Sequence, residues 1–271
     1  EFNRSANVIT AGAWASGNNL NTARYQFAGA GTQTAAVVFG GISPSYTGVT
    51  ETYDGTDWTT SPASLNTARG NLAGFGTSTS AIAAGGSTPS LTNSTESFNG
   101  SAWTANPTGL NTTRAHLSSA IQGTSTAGLV FGGESWGGST WTSVNSMNTA
   151  LSDGAGAGTQ TAALAMGGEP AQTTTEEWNG TSWTAASAMI NARTGTGGMG
   201  SQTAALVFGS QPAPIRTITE GYDGSAWSTR PSMATGRYNP AGAGTATAAL
   251  ATGGYITAVS AATEEFNGET S

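Results

Sequence analysis

Two charged series recur along the chain at a steady interval. Glutamates stand at Glu51, Glu96, Glu134, Glu176, Glu220 and Glu264; arginines stand at Arg24, Arg69, Arg114, Arg193 and Arg237, with Leu151 in the remaining arginine place. Carboxylate and guanidinium together form bidentate, charge-assisted hydrogen bonds, so one reading is a structural Glu–Arg ladder. The competing chemistry is a ring of arginines facing an anionic ligand. The ladder is preferred, because a sixfold repeat is what architecture produces, whereas a catalytic site is usually asymmetric. The absence of lysine agrees: all eight basic residues are arginine, whose planar fork suits a fixed pair better than a solvated point charge does. The favoured scheme joins each glutamate to the arginine 17 or 18 residues further on, in the next repeat. Pairing within a repeat stays open. Under either scheme Leu151 leaves one glutamate without a guanidinium.

Few other residues could do chemistry. There is no cysteine and one histidine, His116, which excludes disulfides, thiol nucleophiles and multi-histidine metal centres. No metal and no cofactor are expected. His116 reads as a hydrogen-bonded structural residue, and no Ser-His-Asp set can be assembled around it. Asp54 and Asp223 are explained by turn chemistry; Asp153 stands among turns, and Asp57, which precedes a tryptophan, is a ligand-binding candidate that nothing else in the sequence supports. The net charge of −7 makes a nucleic-acid partner a poor fit, since phosphate neutralisation needs a basic surface. No apolar run approaches the roughly 18 residues of a membrane span, so no membrane insertion is expected.

These charges must be positioned by a repeated element. Trp14, Trp58, Trp103, Trp141, Trp183 and Trp227 recur at spacings of 38 to 45 residues. Between them lie a glycine series, beginning Gly40-Gly41 and Gly85-Gly86, and an aromatic series: Tyr53, Phe98, Trp136, Trp178, Tyr222 and Phe266. Five of those aromatics precede a series tryptophan by five residues; Phe266 has none after it, and Trp14 has no aromatic before it. Each unit reads as four short strands with regular turn signals, which indicates an all-β fold. Asp54-Gly55, Asn99-Gly100, Asn179-Gly180 and Asp223-Gly224 predict type I′ hairpins between the last two strands. Leu, Ile, Val and Phe amount to 35 of 271 residues, about 13%, below the rough 20% that raises a suspicion of disorder. Only 8% of residues are charged, however, so the other half of the disorder signature is missing.

The order of apolar strand, Gly-Gly, aromatic and tryptophan in "TAAVVFGG…TETYDGTDWTTSP" and "TAALAMGG…TEEWNGTSWTAA" resembles the kelch repeat. The resemblance covers essentially the whole chain. It implies a six-bladed β-propeller of four-stranded blades, one domain over residues 1–271. A 3+1 clasp would close it, with an N-terminal strand near residues 8–17 completing the last blade formed by 237–268. Small residues such as Ala28-Gly29-Ala30-Gly31 then suit the crowded axis. Galactose-oxidase-like chemistry on such a propeller would need a Cys–Tyr cofactor and histidine copper ligands, which the sequence lacks.

Loops on one face vary most, and variable loops on a constant scaffold are where binding is usually placed. Tyr46, Trp136, Arg216, Arg230 and Tyr255 are the candidate ligand-binding residues there. The third unit is shortened, because Gly132-Gly133 runs straight into Glu134; a degenerate repeat explains this better than a binding notch. The Thr/Asn/Gly-rich, lysine-free style resembles bacteriophage tail-fibre, virion-surface and bacterial adhesin repeats. It implies a non-enzymatic binding or structural module, extracellular or on a virion surface. Its partner would be a surface glycan or another structural subunit, including a further copy of itself. The alternatives are a carbohydrate-active propeller enzyme and an intracellular protein-interaction or assembly propeller.

Overall fold

The computed structural model describes residues 12–268. Its strands form six antiparallel sheets around one axis, a six-bladed β-propeller. The first strand, β1 (Ala13–Gly17), belongs to the last blade. Blade 1 follows as β2 (Ala28–Thr32), β3 (Ala35–Phe39), β4 (Val49–Tyr53) and β5 (Trp58–Ser64). Blade 2 is β6 (Ala73–Thr77), β7 (Ser80–Ala84), β8 (Thr95–Phe98) and β9 (Trp103–Ala105). Blade 3 has β10 (Gly128–Val130), β11 (Glu134–Trp136) and β12 (Trp141–Ser143). Blade 4 is β13 (Ala155–Gly158), β14 (Ala163–Met166), β15 (Thr175–Trp178) and β16 (Trp183–Ala185). Blade 5 is β17 (Gly197–Ser201), β18 (Ala204–Phe208), β19 (Thr219–Tyr222) and β20 (Trp227–Arg230). Blade 6 is β21 (Ala241–Gly244), β22 (Ala248–Thr252) and β23 (Thr263–Asn267), completed by β1.

Closure follows the two leftover aromatics. β1 pairs with β23 so that Trp14 faces Phe266, and their rings lie 5.3 Å apart. Residues 8–11 of the expected closing strand lie outside the described residues. The inner edge of blade 3 is reduced to Ser118–Ala120, joined to β10 through one bridge at Ser119↔Val130 and flanking amide bonds. Its serines turn to the neighbouring blades instead: Ser119 Oγ donates to Gly74 O and Ser118 Oγ to Gly154 O.

The second strands are covered on both faces by adjoining blades, which is why they read as continuous apolar runs. Ala36, Val37, Val38 and Phe39 are all buried, and each large side chain so buried contributes about 1.5–3 kcal/mol. Polar contacts set the register between blades. Five series tryptophans each donate an indole N–H to a threonine hydroxyl of the preceding blade, as in Trp103 to Thr50 (2.8 Å) and Trp141 to Thr95 (2.9 Å). The acceptor position in blade 3 is Gly133, so Trp183 donates to the carbonyl of Asn145 instead.

The turns differ from expectation. Of Asp54 and Gly55 only the glycine has positive φ, and the same holds at the other Asn-Gly and Asp-Gly sites, so they are not type I′. The Asp54 carboxylate instead accepts the N–H groups of Thr56 and Asp57. That local bond favours the acid at the turn's first position and holds the Asp54 carboxyl below its ordinary range.

Candidate functional site at the axial mouth

The ladder forms within blades. Arg24 pairs with Glu51, Arg69 with Glu96, Arg114 with Glu134, Arg193 with Glu220 and Arg237 with Glu264. The favoured pairing with the next repeat is therefore wrong. The connection entering each blade folds over its own third strand: the amides of Asn21 and Thr22 donate to Glu51, and Arg24 reaches the same carboxylate. Burial pushes the Arg24, Arg69, Arg193 and Arg237 guanidinium groups below their ordinary value, partly offset by each glutamate. Four of these pairs have fully buried arginines, whereas Arg114 is 25% exposed, in the blade whose second strand runs straight into Glu134 without the loop of its sisters. A ring of arginines facing a ligand is not what the chain builds.

Two residues beyond each ladder position, the blades meet at the axis. All non-glycine residues with positive φ among those described are Gln26, Asn71, His116, Asp153 and Asn239, and Gly195 completes the set. Their left-handed backbone turns each N–H toward the preceding blade. Asn71 donates to Gln26 O, His116 to Asn71 O, Asp153 to His116 O, Gly195 to Asp153 O, Asn239 to Gly195 O and Gln26 to Asn239 O, at 2.8 to 3.4 Å. One backbone ring thus closes the propeller on its loop face. Gly195 takes the same left-handed conformation as its five non-glycine sisters, and a Cβ there would lie 2.7 Å from Asn239 Oδ1, so that carboxamide would have to turn aside. The ring side chains rim a cavity of about 110 Å³, and a second of about 90 Å³ lies deeper along the axis.

Electrostatically the rim is uneven. His116 Nδ1 lies 2.8 Å from Asp153 Oδ1, with the imidazole 41% exposed. This hydrogen bond raises the His116 imidazole above its ordinary value, against the opposing effect of burial. Their pairing escaped the sequence analysis, although both stand two places after a ladder position in adjacent blades. On the opposite flank Tyr25 and Tyr238 precede Gln26 and Asn239 and converge on Tyr255, with ring centroids 5.6 and 5.3 Å apart. Arg216 stacks over Tyr238 at 5.1 Å. It also donates to Ile256 O and Gln211 O, so it braces the loops of blades 5 and 6.

Of the expected binding residues, Tyr255 and Arg216 therefore meet beside the mouth. Tyr46 reaches it indirectly, since its hydroxyl bonds Ser87 Oγ, which accepts from Asn71 Nδ2. Trp136 does not belong to the loop face. It is fully buried, packed on Trp141 at 5.2 Å, because it fills the blade-aromatic position of β11. Arg230 is also elsewhere. It ends β20, and its side chain lies over Gly221, where sister blades carry Thr52, Ser97, Ser135, Glu177 and Glu265. There it borders a cavity of about 380 Å³ between blades 5 and 6, which also meets Gly12 and Gly268 at the ends of the described chain.

No protein-family model matches the sequence, and no curated protein matches it. Among solved structures the chain is similar to that of YjhT, with a TM-score of 0.74 over 91% of this chain and 95% of that one, at 12% identity. The likeness is one of fold.

Proposed function

We propose that the chain is a non-enzymatic recognition module, displayed outside the cell or on a virion, whose loop face binds a glycan. The observation that carries this is the Tyr25–Tyr238–Tyr255 cluster beside the axial mouth. Aromatic faces take the apolar C–H faces of sugars, and the neighbouring carboxamides of Gln26, Asn71 and Asn239 offer donors and acceptors for hydroxyls. The kelch-like repeat and the lysine-free style belong to the same reading. Hydrolysis of a glycosidic bond uses two carboxylates across a cleft; among the described mouth residues, Asp153 is the carboxylate and it is held by His116. That same pair supports a second reading, an acid–base enzyme acting on a small substrate at the mouth.

A glycan array with Tyr255→Ala as comparison tests the proposal. Retained glycans should weaken severalfold or more in the variant, because the aromatic face they stack on is removed. Absence of any glycan binding at millimolar concentration, or binding indifferent to Tyr25 and Tyr255, would refute it. Turnover abolished by His116→Ala would favour the enzyme.

A further inference from the structure

The sixth ladder position is the most informative departure from the repeat. Glu176 is 2% exposed and sits as its sister carboxylates do: it accepts Asn148 N–H at 2.8 Å, Thr149 N–H at 2.8 Å and the Asn148 carboxamide at 2.9 Å. No cation among the described residues pairs with it, because Leu151 occupies the arginine place. A buried carboxylate without a counter-charge is strongly disfavoured.

The sister blades show where that counter-charge goes. Arg193 reaches Glu220 Oε1 at 2.7 Å and also donates to Gly209 O at 3.1 Å and Ile218 O at 2.9 Å. Arg24 makes the same set with Glu51, Gly40 O and Val49 O, and Arg237 with Glu264, Gly253 O and Ala262 O. The equivalent oxygens in blade 4 belong to Glu176, Gly167 and Thr174. The local backbone is unchanged: Gly167 N–H donates to Thr174 O and Gly168 N–H to Arg193 O, as Gly253 N–H donates to Ala262 O and Gly254 N–H to Arg24 O. Leu151 is half-buried, and its Cβ lies 2.7 Å from where a Gly168 Cβ would stand, so it packs on that glycine. The chain thus keeps the acceptors of a guanidinium while omitting the guanidinium.

We propose that blade 4 carries a binding slot for a small guanidinium-type cation, held by Glu176 and the carbonyls of Gly167 and Thr174. The slot is independent of the tyrosine cluster and of what that cluster binds.

The probe is guanidinium chloride at low millimolar concentration, far below denaturing levels. Sodium chloride at equal ionic strength and urea as the neutral isostere serve as controls, with thermal unfolding as readout. At ten times its dissociation constant the ion should shift the unfolding equilibrium of the native chain about tenfold. Leu151→Arg supplies the missing group covalently and should be more stable than the native chain and blind to the ion. Arg193→Ala, which opens the same slot in blade 5, should gain a second guanidinium response. Stabilisation no greater than with sodium chloride, or an equal response in Leu151→Arg, would overturn the proposal.

Discussion

Arg193→Met is the sharpest perturbation of the ladder. It removes bonds from the guanidinium to Glu220 at 2.7 and 3.3 Å and to two backbone carbonyls, while preserving much of the side-chain volume. Glu220 stays 0% exposed, held only by the Ile190 and Asn191 amides and the Asn191 carboxamide. Removing one partner of a buried pair costs about 3–5 kcal/mol, chiefly because the other charge is stranded. The native Leu151–Glu176 blade places the cost toward the lower end of that range. In a chain of this size each kcal/mol moves Tm by about 2–4 °C, so a cost of about 3 kcal/mol corresponds to a drop of roughly 6–12 °C by calorimetry. Adding Glu220→Gln removes the stranded charge and keeps an oxygen for the two Asn191 donors, while its amide nitrogen takes the place facing the Ile190 N–H. The double variant should therefore recover about 1–2 kcal/mol of the loss. A single variant within about 1 kcal/mol of the native chain, as for a surface pair, would refute the reasoning. So would a double variant no more stable than the single one.

Three further outcomes follow from the same geometry. Trp103→Phe leaves the buried Thr50 hydroxyl without its indole donor and should cost about 1–2 kcal/mol in urea unfolding, while Trp103→Phe in a Thr50→Val background should cost less. Gln33→Ala removes a carboxamide that bridges Ala249 O and Phe266 O across the closing junction; it should cost about 1–2 kcal/mol and speed proteolysis near β1. His116 is the lone imidazole, so its NMR titration reads directly. Its pKa should lie above the ordinary value of about 6.5 and fall toward it in Asp153→Asn. Because the folded value is the raised one, the pair stabilises fully below the unfolded pKa. That stabilisation is lost as pH rises through the folded pKa, and it is small, since the imidazole is 41% exposed.

Much of the architecture was legible because each blade repeats the same physical problem. The unpaired Trp14 and Phe266 implied ring closure, and they do face one another. The ladder's existence was legible for the same reason, but its partners were not. Sequence distance favours a link of 17 or 18 residues, whereas the actual links span 27 residues for Arg24–Glu51. What decides between them is the fold of the entering connection, whose Asn21 and Thr22 amides carry Arg24 onto the third strand of the same blade. That path is a tertiary fact with no local signal.

The mouth was missed for a different reason, and the remedy is general to closed repeats. His116 and Asp153 are 37 residues apart and look unrelated when each is weighed alone. In blade coordinates they hold the same place in adjacent units, and equivalent inner-strand residues of adjacent blades must be neighbours around an axis. Applied to every position, that rule brings Gln26, Asn71, His116, Asp153, Gly195 and Asn239 into one ring without any structure. It also separates the two kinds of departure from the repeat. Trp136 is bulky but falls on a position every blade fills with an aromatic, so it belongs to the core. Tyr25 and Tyr238 share a position that the other four blades fill with Gly70, Ala115, Ser152 and Thr194, and Leu151 stands where its sisters are arginine; the proposed glycan face and the proposed guanidinium slot both rest on these departures.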